Sequence, residues 1–339
     1  MAPELQLRSE SHPRPRDHGA SDLSPPTPNT KTITMKYLIS GASGLIGTAL
    51  CERLRANGDD VRSLVSRPAI TQNEVSWDPA ARCVDPKAFE GIDGVVHLAG
   101  ENVAGGRWTP ARKTEIESSR RTGTEVIAGA MAAADAPPAV LVSASAVGYY
   151  GDRGEERLDE RSAPGTGFLA DVCQVWESSA DAAREAGIRV VHPRIGMVLA
   201  KNGGALERML LPFQLGLGGP IGKGDNWLSW ISLHDQVRVL EHALKHEQLA
   251  GPVNSVAPQS VRFTEFASVL GRVLRRPAFL HTPAFAMRWA MGELVDELML
   301  ASMHVEPKAL QSAGFTFDHP DLESALRSAL QRPAQKVSA

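Results

Sequence analysis

Cysteine is scarce. The three that occur, Cys51, Cys83 and Cys173, are scattered and form no C-x-x-C pair, so no disulfide framework and no metal site is expected, and a reducing, cytoplasmic setting is. Positive charge has no surplus either: 36 Lys and Arg against 39 Asp and Glu leave a formal charge of -3. That gives neither nucleic acid nor an anionic membrane surface an electrostatic foothold. No uninterrupted apolar run reaches transmembrane length. The first 34 residues, "MAPELQLRSE" to "KTIT", lack the apolar stretch of a signal peptide, and Glu4, Glu10, Asp17 and Asp22 carry the wrong charge for a transit peptide. With six prolines and almost no apolar periodicity, residues 1–34 cannot offset their ordering entropy and are expected to be disordered. Met35, where the first strand-like run begins, is expected to be the natural start of the folded protein.

From Met35 onward strand-like and helix-like segments alternate. "KYLIS", "DVRSLVS", "GVVHLAG", "AVLVSAS" and "IRVVHPRIGMVL" read as buried strands. Between them, "LIGTALCERLRANG", "ARKTEIESSRRTGTEVIAGAMAAA" and "GTGFLADVCQVWESSADAAREAG" have helical apolar spacing. Near-continuous apolar strands separated by helices imply an α/β fold, a Rossmann-like doubly wound parallel sheet covered on both faces. After about residue 200 the alternation loosens into Gly-rich loops and shorter elements. The expected division is a nucleotide-binding domain over 35–250 and a smaller C-terminal α/β substrate lobe over 251–339.

"LISGASGLIG" places Gly41, Gly44 and Gly47 between the first strand and the first helix. Such a loop gives a tight turn, lets backbone approach a pyrophosphate and aims helix N-terminal N–H groups at the anion. Ser43, Leu45 and Ile46 belong to the same candidate cofactor site. The G-x-x-G-x-x-G spacing resembles the extended short-chain dehydrogenase/reductase superfamily. "GVVHLAG", "RRTGT", "VLVSASAVGYYG" and "SWISLHDQV" resemble its later segments. "HLAGEN", "GLGGPIGKGDNWLSWI" and "VEPKALQSAGFTF" resemble one atypical subfamily, the YfcH-type epimerase-family proteins, from Met35 to about residue 333. The resemblance implies an epimerase/dehydratase-type NAD(P)-binding Rossmann domain, and a C-terminal domain of unknown function at about 285–333.

The second strand ends in Ser66 and Arg67 where an NAD-preferring site carries Asp or Glu. Ser and Arg can hydrogen-bond a 2′-phosphate that a carboxylate would repel, and the resemblance likewise implies NADP(H). It also implies that the cofactor crosses the end of the fourth strand at Leu98, Ala99 and Gly100, where superfamily members carry small residues, and meets the Val198 backbone at its nicotinamide end. Arg120 stands in the place of the superfamily's Asn in N-x-x-G-T. A guanidinium there can reach the cofactor or a substrate carboxylate, with Glu115 orienting it. A solvated helix face is the alternative, and the resemblance favours a pocket role for both.

Residues 165–187 hold neither tyrosine nor lysine. Superfamily members carry a Tyr and, four residues later, a Lys on this helix, with a Ser on the preceding strand. The Tyr exchanges a proton while hydride moves to or from the nicotinamide, and the Lys lowers its pKa. Ser145, with Ser143 on the same face, fits the Ser role. Phe168 and Val172, or Leu169 and Cys173, fall at the Tyr and Lys places. Phe168, Val172, Val175 and Trp176 read as a packing stripe, and Cys173 as buried and inert. Tyr149 and Tyr150 lie at the carboxyl end of the serine strand, so Tyr149 joins Ser145 as a catalytic candidate, while aromatic packing is the alternative. Glu101 and Asn102 sit at the same edge. His234 and Asp235 read as a helix start with Asp as the cap. Lys223 in "GPIGKGDN" is no Walker lysine, because Leu217 and Gly224 stand at required positions, and this stretch is expected to be a loop over the substrate pocket. Two functions remain open: an NADP(H)-dependent oxidoreductase or epimerase acting on a small polar molecule, as monomer or homodimer, or a protein that holds NADPH without turnover.

Overall fold

In the computed structural model residues 34–331 are described. The expectation of disorder for the N-terminal extension falls, apart from Thr34, outside them. "KYLIS" forms β1 (Lys36–Ser40), whose residues from Tyr37 onward are buried. Tyr37 and Ile39 face one core cluster and Leu38 the other. A strand covered on both sides needs apolar residues at every position, which explains why the run does not alternate in polarity. The chain continues through β2 (Asp60–Val65), β3 (Glu74–Asp78), β4 (Cys83–Val84), β5 (Gly94–His97), β6 (Val140–Ser143), β7 (Ser145–Ala146), β8 (Arg189–Ile195) and β9 (Gly251–Ser255).

These strands make one sheet, in the order β9-β8-β6-β5-β1-β2-β3-β4, with β7 beside β8. Every pairing is parallel except β3 with β4. The chain steps outward from β1 to β2 and β3, then returns to place β5 against β1. That reversal opens a crevice at the carboxyl ends of β1 and β5, where doubly wound sheets bind ligands. β9 carries the sheet past residue 250. Its short run "GPVNS" begins Gly-Pro and gives little strand signal, yet it pairs with β8 over five positions.

One face is covered by α1 (Leu45–Ala56), whose Leu50, Cys51 and Leu54 join the buried cluster, and the other by α2 (Pro110–Ala132). The segment "GTGFLADVCQVWESSADAAREAG" gives α3 (Phe168–Ser178) and a short α4 (Asp181–Glu185). Beyond β8 come α5 (Gly204–Gln214), α6 (Leu233–Lys245), α7 (Phe263–Leu274), α8 (Ala284–Met291), α9 (Lys308–Ser312) and α10 (Leu322–Ala329). α10 packs Leu322, Ala325 and Leu326 with Phe266 and Trp230 in a separate cluster, while Leu310 and Phe315 return to the core that holds Tyr37 and Leu50. Ser232, rather than Asp235, caps α6: its hydroxyl accepts from the Asp235 amide at 3.0 Å, and Asp235 lies one turn inside. The serine precedes the first helical turn, which is where a cap must stand to reach the third amide.

The Gly-rich stretch has a packing reason. A Cβ on Gly219 would overlap the Leu280 backbone, and one on Gly218 the Phe213 ring. Residues 218–222 thus lie against 280–282, joined by a bridge between Ile221 and Thr282. No helix among the described residues is long and apolar enough to cross a membrane.

Candidate active site

At the crevice, Gly41 has φ +70°, and a Cβ there would sit 2.8 Å from the Leu98 carbonyl carbon and the Ala99 nitrogen. Only glycine lets the end of β1 turn this tightly against β5. A Cβ on Gly47 would overlap the Gly41 carbonyl, so the helix can begin this close only with glycine there. Gly44 is the N-cap of α1; no side chain caps the helix, and its first turn carries no acidic residue. The amides of Leu45, Ile46 and Gly47 therefore face outward without an internal partner, as a helix start leaves them. Such a start can cradle an anion.

Exposed Ser66 and Arg67 follow β2 at the same edge. Arg67 forks onto Glu74 at 2.6 and 3.0 Å, and this hydrogen bonding holds the Glu74 carboxyl at about 2. Val198 lies in the strand Met197–Leu199, which pairs with Trp230–Ser232. Its carbonyl and the Leu45 side chain both border Gly204, so the sheet end and the start of α1 meet here.

Arg120 lies alongside Gly100, 3.6 Å from where a Cβ would be, with its guanidinium 4.8 Å over the Trp176 ring. It donates to the Glu101 and Ile116 carbonyls, at 3.1 and 2.9 Å. Burial depresses its pKa. Glu115 does not orient it: Glu115 pairs with Arg112 at 3.1 Å, and Arg112 also holds Glu101 at 2.7 Å. Five residues along a helix is well past one turn, whereas three residues put Arg112 and Glu115 on one face.

The serine strand leads into a buried polar row. Register places Ser145 opposite Arg194 on β8 and Arg194 opposite Asn254 on β9. Ser145, 2% exposed, donates to Glu177 at 2.7 Å. Glu177 on α3 takes both arms of Arg194, at 2.8 and 2.9 Å, and Arg194 also donates to the Tyr150 oxygen at 3.0 Å. Tyr150 donates to Asn254 at 2.7 Å and is fully buried; burial pushes its phenol up to about 12. The two candidate phenols are thus unequal, since Tyr150 is sealed while Tyr149 is half-buried and its oxygen has no hydrogen-bond partner among the described residues.

α3 turns Leu169 and Cys173 toward this strand: both border Gly148, and Cys173 lies 3.7 Å from the Ala146 carbonyl. Burial raises the thiol to about 11, so Cys173 is no thiolate. The packing stripe is shifted from its expected line. Leu169, Ala170, Val172, Cys173 and Trp176 are buried, while Phe168 stacks edge-on against Trp108 under the Lys113 ammonium. Phe168 is the first helical residue, and there the loop after β5 is nearer than the sheet.

From the segment after α8, Glu297 accepts the Phe168 and Leu169 amides at 2.9 and 2.7 Å. It supplies the cap that Gly167 cannot. Replacing Glu297 with alanine should cost about 1–2 kcal/mol, measured by urea denaturation. Beside this cap lies a cavity of about 370 Å³, lined by Gly148, Thr166, Leu169, Arg288, Glu297 and Met303 among others. Leu300 lines it too and borders Gly222, so the Gly-rich stretch lies behind this wall rather than over the cavity. A larger cavity, about 590 Å³, lies between α1, residues 199–202 and α10. Arg208 holds the loop of residues 101–109 by donating to the Ala104 carbonyl at 2.7 Å, and on α2 just beyond that loop Lys113 pairs with Glu293 at 2.6 Å.

Glu177, Arg194, Asn254 and Glu297 were not legible as site residues. The one signal was Arg194, a cation inside an apolar strand run, which requires a buried partner. His234, Asp235 and Asp318 cluster at metal-ligand spacing. However, Arg238 already places its charge on both carboxylates, at 2.7 and 3.2 Å.

Residues 37–256 match the model of the NAD dependent epimerase/dehydratase family, and residues 282–329 match Domain of unknown function (DUF1731). The chain is 44% identical over 295 residues to Epimerase family protein Mb2239 of Mycobacterium bovis, covering 87% of this chain and 97% of that one. It is 35% identical over 296 residues to Epimerase family protein SDR39U1 of Homo sapiens, covering 86% and 99%. A crystal structure of the human epimerase family protein SDR39U1 (isoform 2) with NADPH superposes with a TM-score of 0.80 at 33% identity, over 88% of this chain and 99% of that one.

Proposed function

Because the chain belongs to the NAD dependent epimerase/dehydratase family, we propose that it is an NADP(H)-binding oxidoreductase or epimerase of the extended short-chain type, acting on a small polar substrate without a Tyr-x-x-x-Lys pair. The observation that carries this is the uncapped start of α1 at the crevice between β1 and β5. The amides of Leu45, Ile46 and Gly47 bind the pyrophosphate, with Gly41, Ser43 and Gly44 shaping the approach. Ser66 and Arg67 take the 2′-phosphate. Leu98, Ala99 and Gly100 line the cofactor's path across the sheet, Arg120 walls that passage, and the Val198 backbone meets the nicotinamide end. When bound, the cofactor supplies or accepts a hydride. The substrate occupies the 370 Å³ cavity, and Tyr149 holds or releases the proton. Ser145, whose own proton is committed to Glu177, acts by fixing that carboxylate.

Binding titrations test the cofactor assignment. NADPH should bind more tightly than NADH; equal affinities sink the assignment. Arg67→Ala should erase the preference, a loss of roughly tenfold or more for one charge-assisted contact. Glu74→Gln should tighten NADPH binding, because Glu74 now competes with the phosphate for the Arg67 fork.

A second reading, NADPH held without turnover, is favoured by one observation: Leu169, which has no proton to give, and Cys173, whose buried thiol faces the Ala146 carbonyl, stand against the serine strand. Screening the NADPH-loaded protein against carbonyl metabolites separates the two. Cofactor oxidation that Tyr149→Phe abolishes supports the enzyme. Tight binding with no oxidation across broad panels supports the holding protein.

A further inference from the structure

Building on the assignment of Tyr149 to proton transfer, we propose that Arg194 is its electrostatic partner, a fixed positive charge on the face of the phenol ring in place of the absent lysine. The Arg194 Cζ lies 3.4 Å from the Tyr149 ring centroid. A guanidinium is flat and weakly hydrated, so it can stack on a ring where an ammonium would sit to one side. A cation so close to a desolvated aromatic face favours negative charge developing on the phenol oxygen.

The guanidinium has no freedom to turn away. Its side chain is 3% exposed, two of its nitrogens are held by Glu177 and the third by the Tyr150 oxygen. Its pairing with Glu177, against the cost of burial, raises the pKa of Arg194, so the charge is permanent. The Tyr150 ring meets Tyr149 edge-on at 5.3 Å and fixes it from a second side. Ser145 and Glu177 are positioning residues, acting through Arg194, and Asn254 steadies Tyr150. No described residue hydrogen-bonds the Tyr149 oxygen. Gly148, the preceding residue, lines the cavity. So does Met303, which packs with Tyr149 on the same small apolar cluster.

In the reducing direction, the Tyr149 O–H bond breaks and an O–H bond forms on the substrate oxygen. The carbonyl carbon receives its electron pair as the hydride supplied by the reduced cofactor, and water reprotonates the phenolate. In the oxidising direction each transfer reverses.

Nitration by tetranitromethane, which attacks phenolates, reads this without a known substrate. The chain has three tyrosines. Tyr37 and Tyr150 are buried, and burial pushes each to about 12. Mass spectrometry after treatment at pH 8 should find Tyr149 modified first. In Glu177→Gln/Arg194→Met, a neutral pair of similar shape, nitration of Tyr149 should slow at least several-fold while NADPH still binds. Arg194→Lys, which keeps the charge, should recover part of the rate, and this comparison stands even if the double variant does not fold. Equal nitration of Tyr149 in wild type and variants overturns the role of Arg194. The underlying reading fails differently: it falls if Tyr149→Phe retains NADPH-dependent turnover, whatever the nitration rates. Loss of turnover in Tyr149→Phe together with unchanged nitration in the charge variants removes Arg194 alone.

Discussion

Arg194→Ala should destabilise the protein by about 3 kcal/mol, because it leaves the largely buried Glu177 carboxylate without its counter-charge. Three hydrogen bonds go at once, and the fully buried Tyr150 oxygen loses a donor. Glu177→Gln/Arg194→Met should behave otherwise. Removing both charges removes the desolvation penalty of both, and such replacements commonly keep or raise stability. Urea denaturation of the two variants measures the contrast, and a double variant as unstable as Arg194→Ala would show that packing of the guanidinium, not its charge, holds the row together.

Acid should unfold the protein earlier than its carboxylates demand. Burial pushes His97 and His192 each down to about 4. His192 accepts from Arg184 on Nε2 at 3.1 Å and lies 3.3 Å from the Ser143 carbonyl through Nδ1. Because arginine only donates, Nε2 carries no proton and Nδ1 is the donor, a neutral ring. His97 places Nδ1 2.6 Å from the Ser40 hydroxyl and leaves Nε2 without a partner. In the unfolded chain both titrate near 6.5. At pH 7 the folded rings are neutral and the unfolded ones only about a quarter protonated, so the cost is small. As pH falls below about 6.5, the unfolded state gains protons that the folded state refuses until about 4, so stability drops. The full loss is roughly 3 kcal/mol per histidine. Thermal melts from pH 7 to pH 5 lie above the carboxylate range and isolate this effect. A melting temperature flat across that window would contradict it.

The parts of the site that were legible in the sequence share one property: they are local. Gly41, Gly44 and Gly47 lie in one short stretch between the end of β1 and the start of α1, and their spacing states the geometry outright. Ser66 and Arg67 were placed by counting to the end of one strand. What could not be read is built from distant pieces. Glu177 and Arg194 meet across 17 residues, and Glu297 caps a helix 129 residues upstream of it. Asn254 reaches the row only because β9 joins the sheet beside β8, and "GPVNS" is too short and too polar to announce that strand. The Gly-rich stretch was visible, but its reason, close approach to Leu280, lies sixty residues further on. Glu115 failed for a simpler cause: the i, i+3 partner was nearer than Arg120.

Leu310 and Phe315 complete the same core as Tyr37 and Leu50, and Leu322 and Leu326 complete that of Trp230. A ribosome making this chain therefore releases the final pieces of both cores last. Until residues 310–326 emerge, the early strands and α7 have apolar surface with nothing to cover it, and the fold cannot close in halves.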